Sequence, residues 1–386
     1  MPVPLYLLAV AVFAMGTSEF MLAGLVPDIA AAFGVSVGTA GLLTSAFAVG
    51  MVVGAPLMAV SARRWPARTT LLFFVLLFAA THIVGALTTN FAVLLGSRVI
   101  AALADAGFLA VALGAAAALA PADRTGRALA VLLSGTTAAT IAGAPGGALL
   151  GTLLGYRSTF WAIALLCLPA ALGIAAGIPA VATASGAGVP LRREIAELAR
   201  PALVLVIVLA ALVNAATFAA FTFLAPIVTE TAGLGEFWVP VALMLFGVGS
   251  FAGVTVAGRF SDRRPGALLA VCGPACLLGW VALALVAGHP AALLFLVFTQ
   301  GVLAFALGGT LITRVLYEAG GAPSMRGSYA TAALNLGAAG GPALAALTLG
   351  TGAGNLGPVW LSSLLIALAL AVRYGTMNFA VSGRLD

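Results

Sequence analysis

The 386-residue chain contains no lysine, because all 17 of its basic residues are arginine. A P-loop ATPase needs a lysine that contacts the nucleotide phosphates, so the chain carries no Walker site of its own. Enzymes that form a Schiff base with a carbonyl substrate need the same side chain. The missing lysine therefore excludes a self-contained ATP-driven pump and a Schiff-base enzyme.

Histidine and cysteine are also scarce. The two histidines are His82 and His289, and the absence of an HExxH motif argues against a zinc hydrolase. The cysteines, Cys167, Cys272 and Cys276, lie in apolar segments without a nearby histidine or carboxylate, so we interpret them as small apolar side chains. We predict that the protein is not an enzyme and binds neither a metal nor a cofactor.

Charged residues make up only 7% of the chain, whereas hydrophobic residues make up 63%. The mean hydropathy of +1.19 lies far outside the range of soluble domains. Twelve apolar stretches are long enough to cross a bilayer core of about 30 Å. They lie near residues 4–26, 40–61, 69–89, 92–120, 128–154, 159–181, 202–226, 237–258, 267–287, 291–313, 327–349 and 358–376. The sequence therefore predicts an all-α integral membrane protein with twelve transmembrane helices.

The distribution of arginine predicts the orientation of these spans. With a cytoplasmic N-terminus, 15 of the 17 arginines fall in inner loops or the C-terminal tail, whereas Arg157 falls in an outer loop and Arg98 inside span four. The first span lacks the basic segment of a signal peptide, so we expect it to be retained. We predict a multi-pass protein of the cytoplasmic membrane with both termini inside. The isoelectric point near 9.9 thus reflects topology and not a nucleic-acid partner.

An internal repeat divides the spans into two sets of six. A shift of 199 residues superposes Pro27 on Pro226, Gly50 on Gly249, Gly54 on Gly253, Arg64 on Arg263 and Pro66 on Pro265. Both second spans therefore carry a GxxxG pair, which favours close helix contact. We predict an N-terminal half at 1–182, a cytoplasmic linker at 183–201 and a C-terminal half at 202–386, with the substrate between the halves.

The linker contains a candidate surface helix. Leu191, Ile195 and Leu198 form an apolar stripe, and Arg193 lies one turn from Glu197. This pattern predicts a short amphipathic helix on the inner membrane surface.

Ionisable residues inside the spans are candidates for function. Glu19 lies in span one and Asp105 in span four, and Arg98 precedes Asp105 by two turns, about 10 Å along the same helix face. Burial and a nearby arginine act in opposite directions on a carboxyl group, so these residues are predicted to couple transport to protonation. The alternative is a fixed Arg98–Asp105 ion pair that orients span four. We interpret His82 as a packing residue and not a proton relay.

The C-terminal half has no carboxylate within its spans. Its candidate substrate-binding residues are Asn214, Thr217, Phe218, Phe221, Gln300 and Asn335. Aromatic walls with a few amides suit an uncharged amphipathic molecule.

Span five is uncharged but rich in glycine, and it carries a proline. The residues are Gly135, Gly143, Pro145, Gly146 and Gly147, and the span leaves the membrane at Gly155-Tyr-Arg-Ser-Thr-Phe-Trp. Proline removes a helix hydrogen bond, and glycine permits close approach of another helix. This string resembles the fifth-span signature of drug/proton antiporters of the major facilitator superfamily. The resemblance implies that a kinked helix seals the cavity between the halves, with Gly143 and Gly146 at close helix contacts.

Other segments resemble the same family. Gly16-Thr-Ser-Glu-Phe in span one is similar to bacterial twelve-span drug exporters, and Arg98-Val-Ile-Ala-Ala resembles an Arg-x-x-Gln-Gly motif tied to proton transfer, with alanine replacing both glutamine and glycine. The loop after span two only partly resembles Gly-x-x-x-Asp-Arg-x-Gly-Arg-Arg, because Arg63 replaces the acid. The second copy keeps Asp262 and Arg263, to which the resemblance assigns a gating role.

End to end, the chain is similar to the chloramphenicol-efflux proteins of actinomycetes. The resemblance implies efflux of a small amphipathic drug, chloramphenicol, by alternating access in exchange for protons. A porter of the same fold that exports sugars or other small metabolites is the alternative. The predicted partners are the drug, protons and membrane lipid, and the protein is predicted to be a monomer.

Overall fold

The computed structural model describes residues 2–61, 66–119, 124–178, 191–261, 264–322 and 325–382. In these ranges the chain forms sixteen α-helices. They are α1 (Val3–Phe20), α2 (Leu22–Phe33), α3 (Val37–Ser61), α4 (Ala67–Leu87), α5 (Phe91–Ala118), α6 (Thr125–Ala138), α7 (Ala144–Leu154), α8 (Tyr156–Gly177), α9 (Leu191–Ala196), α10 (Pro201–Thr222), α11 (Leu224–Pro226), α12 (Trp238–Phe260), α13 (Pro265–Val286), α14 (Pro290–Glu318), α15 (Arg326–Thr348) and α16 (Gly357–Ser382). π-Helical turns at Ala139–Gly143 and Ile227–Thr231 complete the interrupted spans.

Twelve crossings of membrane length are present in the described residues, as predicted. The gaps between the predicted spans, after residues 287 and 349, are confirmed, because α13 ends at Val286 and α15 ends at Thr348. The first crossing differs from the prediction. Its membrane-length helix, α1, ends at Phe20 and not at residue 26, and after a break at Met21 a separate shorter helix, α2, extends to Phe33.

Two hydrophobic cores organise the helices. One is built mainly from α1 to α8, and the other mainly from α10 to α16. The GxxxG pairs have equivalent roles in both: Gly50 lies against Ala102 and the Val99 carbonyl on α5, whereas Gly249 lies against the backbone of Phe298 on α14. A side chain at either glycine would separate the paired helices. The domain boundary itself remains a prediction.

The two sets of helices meet along two seams. Helix α3 packs along α15, and Gly38 approaches Ala346 so closely that an added Cβ would lie 3.2 Å from the alanine Cβ. The π-helical turn Ala139–Gly143 and α7 pack on α12, where Gly247 faces the Thr140 carbonyl. Both seams rely on glycine and alanine, which let backbones come close.

The linker helix is present as α9, followed by a 3-10 turn at Glu197–Ala199. Ile195 and Leu198 are 49% and 38% exposed, so these two apolar side chains do not pack into the protein. The position of the helix on the inner membrane surface stays a prediction. Glu197 pairs with Arg200 at 3.0 Å, at the 3-10 turn that follows α9.

Glu194 is the buried residue of the linker, at 1% exposure. Its carboxylate Oε2 accepts a hydrogen bond from the backbone N–H of Met325 at 3.0 Å, and its carbonyl accepts one from the Tyr329 hydroxyl at 2.9 Å. Met325 immediately precedes α15, whose first N–H groups have no partner within the helix. The linker thus caps the start of α15.

Candidate functional site

The site begins where α1 ends. The backbone N–H of Met21 bonds the Thr17 carbonyl at 2.8 Å, and the break after Phe20 leaves the last carbonyls of α1 without regular helix partners. The Ser18 carbonyl instead accepts a hydrogen bond from Nη2 of Arg98 at 2.7 Å. An arginine from α5 therefore completes the end of a helix inside the membrane.

Arg98 binds Ser18 twice. Its Nη1 donates to the Ser18 hydroxyl at 2.6 Å, and its guanidinium carbon lies 4.6 Å from the ring centre of Phe47. The side chain is 1% exposed. Two hydrogen bonds and an aromatic face satisfy much of a buried cation, but Nε has no partner.

His82 lies on the other side of Ser18. Its Nε2 is 2.7 Å from the Ser18 hydroxyl, and its Nδ1 is 2.8 Å from the Phe78 carbonyl. The imidazole is 1% exposed and packs between the rings of Phe78 and Phe160. His82 packs as predicted, and it also belongs to a polar network that the sequence did not indicate.

The two predicted carboxylates lie near this network. Asp105 is 3% exposed and its Oδ1 has no partner, whereas Glu19 is partly buried beside Ser18. Arg98 lies within electrostatic range of both acids. In the described residues it bonds Ser18 and forms no ion pair with Asp105, so the alternative of a fixed pair is wrong. The helix break at Met21 places the Ser18 carbonyl within reach of Arg98, whereas Asp105 lies two turns away along the same helix. The proton-coupling role of the three residues stays a prediction.

An aromatic cluster adjoins the acids. Phe20, the neighbour of Glu19, stacks on Phe218 at a ring separation of 6.0 Å and meets the edge of Phe221 at 6.1 Å. Phe221 contacts Phe246 at 4.8 Å. The cluster therefore connects the carboxylate region of α1 with α10 and α12.

A cleft opens beside the cluster in the second set of helices. Its volume is about 10 Å³, room for about one water molecule, and its walls include Phe221, Phe246, Trp280 and Gln300. Nε2 of Gln300 donates to the Cys276 carbonyl at 3.0 Å, and its buried Oε1 has no partner. The cleft is therefore small and walled mainly by aromatic and aliphatic side chains.

The remaining predicted substrate residues use their polar groups on backbone carbonyls. Asn214 donates across to Leu334 of α15 at 2.7 Å. Thr217 and Asn335 donate to carbonyls of their own helices, at 2.9 and 3.0 Å. These three residues are not brought into the cleft, because the α10–α15 contact takes up that helix face. Of the six predicted residues, only Phe218, Phe221 and Gln300 lie at the cluster or the cleft.

The predicted gate in span five is a π-helical turn followed by Pro145 in the first turn of α7. Gly135 lies against the backbone of α1, and Gly143 lies against the Thr17 side chain. A Cβ added at Gly147 would lie 3.0 Å from the Cβ of Met21. Nothing lies within 4 Å of a Cβ added at Gly146, so its predicted close contact is wrong: this position faces open space. Asp262 and Arg263 lie outside the described residues.

The predicted site omits Ser18, Phe20, Phe246 and Trp280 and assigns only packing to His82. The adjacency of Ser18 and Phe20 to Glu19 is a usable signal. Phe246 is one of 21 phenylalanines, and neither Phe246 nor Trp280 stands beside a charged residue that would mark it.

Comparison with known proteins finds relatives that match most of the chain. A family model described as Major Facilitator Superfamily matches residues 8–342. A chloramphenicol resistance protein of Streptomyces lividans is 70% identical over 377 residues, which cover 97% of this chain and 96% of that protein. The inner membrane transport protein YdhP of Escherichia coli (strain K12) is 30% identical, with coverage of 91% and 90%.

A solved structure has the same fold. The crystal structure of a bacterial homologue of the human lysosomal transporter Spinster, in an inward-facing and unoccupied conformation, matches with a TM-score of 0.66. The match covers 90% of this chain and 80% of that chain at 18% identity, so it concerns the fold alone.

Proposed function

The chain belongs to the Major Facilitator Superfamily, and on this premise we propose that it exports chloramphenicol, or an uncharged amphipathic drug of similar chemistry, in exchange for protons. The observation that carries the proposal is the 70% identity to a chloramphenicol resistance protein along nearly the whole of both chains. The family moves small molecules and is not one of enzymes. The family and the identity both agree with a buried site that has acids and aromatic walls.

The geometry supports competition between proton and drug. Glu19 and Phe20 are neighbours, and Phe20 packs on Phe218 and Phe221 of the second set of helices. A drug bound on these rings lies beside the Glu19 carboxyl. Protonation of Glu19 or Asp105 then favours release, and deprotonation favours uptake, because each changes the charge next to the ligand.

The packing of span five supports alternating access. Its second part, α7, packs on α12 together with the π-helical turn, whereas its first part, α6, packs on α1 and α5. We infer that the α7 end is the outer side and that the α1 end, with both termini, is cytoplasmic, in agreement with the arginine distribution. Each half is proposed to move as a unit, and the protein to act as a monomer surrounded by lipid.

Purified protein in liposomes tests the function. We expect accumulation of radiolabelled chloramphenicol driven by a pH gradient, stopped by a protonophore and independent of ATP. Exchange of an uncharged drug for one proton moves one net charge, so a potential of 100 mV changes the driving force by about 2.3 kcal/mol. Transport of arabinose-like sugars with no transport of chloramphenicol would replace the drug-exporter proposal with the sugar-exporter alternative.

A further inference from the structure

We propose that His82 positions Arg98 through the hydroxyl of Ser18. In this arrangement the guanidinium stays on α1 and leaves the carboxyl groups of Glu19 and Asp105 without a cation bonded to them. The inference deepens the proposed proton exchange and rests on it. It concerns a buried histidine to which neither the family resemblance nor the proposed mechanism gives a role.

The hydrogen bonds fix where each proton lies. A carbonyl only accepts, so Nδ1 of His82 carries a proton and donates it to the Phe78 carbonyl. Guanidinium nitrogens only donate, so the Ser18 oxygen accepts from Arg98. The hydroxyl hydrogen of Ser18 is then free to point at Nε2 of His82, which accepts it. The chain of donors runs in one direction, from Arg98 through Ser18 to a neutral imidazole.

Packing keeps the acceptor in place. The imidazole centre lies 4.4 Å from that of Phe78 and 5.8 Å from that of Phe160, and the ring is 1% exposed. A ring confined on two sides and bonded at both nitrogens cannot turn Nε2 away from Ser18. The hydroxyl is therefore held with its lone pairs toward the guanidinium.

The polar and charged groups that face the region of His82 come from two helices. Helix α1 supplies the Ser18 hydroxyl and the Glu19 carboxyl, and α5 supplies Arg98 and Asp105. Helix α8 presents the apolar ring of Phe160. Arg98 is the charged group within electrostatic range of the imidazole. A second proton on His82 would put two cations on one hydroxyl, which like-charge repulsion disfavours. The arrangement therefore points to a positioning role and not to proton carriage by the histidine.

Loss of the acceptor has a definite consequence. The Ser18 hydroxyl would turn to a carbonyl of its own helix, the usual alternative for a serine in a helix. Arg98, whose Nε already lacks a partner, would then gain more by bonding the nearby carboxylates, because charge-assisted hydrogen bonds are stronger. A bonded cation favours the ionised carboxylate. Proton uptake would then require a more acidic medium.

Two isosteric variants separate positioning from titration. The asparagine in His82→Asn reaches only as far as Nδ1, so it keeps the donor to Phe78 but loses the acceptor for Ser18. The glutamine in His82→Gln reaches as far as Nε2 and offers its amide oxygen to Ser18, but it cannot titrate. We expect His82→Asn to shift the pH midpoint of drug exchange about one unit toward acid, the tenfold change expected when a hydrogen bond to a charged group is lost. We expect His82→Gln to keep the wild-type midpoint.

A second readout is independent of any drug. Infrared titration of the carboxyl bands of purified, drug-free protein should show the same acid shift in His82→Asn, and Ser18→Ala should show it with the histidine intact. The double variant should shift no further than either single variant, because both changes break one chain. If His82→Asn does not fold, Ser18→Ala alone decides the link.

The outcomes separate the two proposals. A shifted carboxyl titration in protein that exchanges no drug for protons would overturn the proposed function and keep the positioning role. Normal exchange with an unshifted titration in both His82→Asn and Ser18→Ala would overturn the positioning role. Loss of proton coupling in His82→Gln would also overturn it, because His82 would then act through its own titration.

Discussion

The two sets of six helices share a scaffold but differ in chemistry. In both, a GxxxG pair brings the second crossing against the fourth, through Gly50 on α3 and Gly249 on α12. The polar interiors differ: the first set buries Arg98, Asp105 and His82, whereas the second buries aromatic rings and amides. The comparison teaches that close helix packing is a property of the repeat, while the buried ionisable groups and the aromatic cleft are divided between its two copies.

The largest expected effect tests the division directly. Glu19→Gln and Asp105→Asn should each abolish drug accumulation driven by a pH gradient, because each removes a titrating group from the first set of helices. The matched control is Glu230→Gln in the second set, where the carboxylate bonds Asn355 at 2.8 Å and an amide oxygen can replace it. Accumulation is measured in liposomes with expression checked separately. Full accumulation in the Glu19→Gln, Asp105→Asn double variant would end the proposed division of labour.

The next prediction concerns the π-helical turn of span five, which packs on α12 of the second set and whose Gly143 contacts Thr17 of α1. Gly143→Leu should lower turnover roughly 10- to 100-fold, because overpacking against Thr17 costs about 1–3 kcal/mol where the helices must approach. Gly146→Leu is the matched control, since its position faces open space. Cysteine labelling of cavity positions should report the block as accessibility from one side only. Equal turnover in the two variants would mean that Gly143 does not lie at a working contact.

A smaller effect is expected at the aromatic cluster. Phe218→Ala should raise the apparent KM for chloramphenicol roughly 2- to 10-fold, since an aromatic pair contributes about 0.5–1.5 kcal/mol beyond area burial. Phe251→Ala is the control, because this ring is 51% exposed. Initial rates of drug and proton movement in liposomes, taken at a series of chloramphenicol concentrations, give the measurement. An unchanged KM with a reduced proton stoichiometry would place Phe218 with the coupling groups instead, and would blur the comparison.

The smallest effect involves Asp28 on α2, which lies beyond the roughly 20 residues that cross the hydrocarbon core. Partial burial raises the pKa of this carboxyl, and the negative charge of Glu236 from the second set raises it further. The protonated Asp28 carboxyl is therefore favoured in the folded state. It adds to the free energy of unfolding in full below about pH 4, and this contribution is lost as the pH rises through the raised pKa of the folded state.

Thermal unfolding across a pH series checks this contribution. Asp28→Asn should remove that part of the pH dependence, and Glu236→Gln should remove some of it. If melting temperature depends on pH in both variants as it does in the wild type, the carboxylates of Asp28 and Glu236 do not interact between the two sets of helices.

The sequence predicted the twelve crossings because bilayer thickness and hydropathy leave few alternatives. It did not predict the break at Met21, since no glycine or proline stands there and Pro27 lies more than a turn later. It associated Arg98 with Asp105 because both lie on one helix. Contact between Arg98 and Ser18 depends on the rotation of α1 against α5, which one sequence does not specify.

The span-five glycines show a similar limit. Gly143 and Gly146 are three residues apart, and a regular helix would place both near one face. The π-helical turn ends at Gly143, and the chain continues as regular helix through Gly146, so the two positions are turned about 60° from each other around the helix axis. Composition predicted an interrupted helix, but only the packing against Thr17 distinguishes the glycine at a contact from the glycine in open space.

Because Glu194 caps α15, the linker helix α9 packs with the second set of helices in space, although in the sequence it lies between the two sets. Helix α9 precedes the second set of crossings in sequence, yet its carboxylate completes the first turn of that set's fifth crossing. An insertion or a chain break between Gly177 and Leu191 would leave this cap with its helix. One placed just after Arg200 would separate them, so fusion partners and split-chain designs belong on the amino-terminal side of α9.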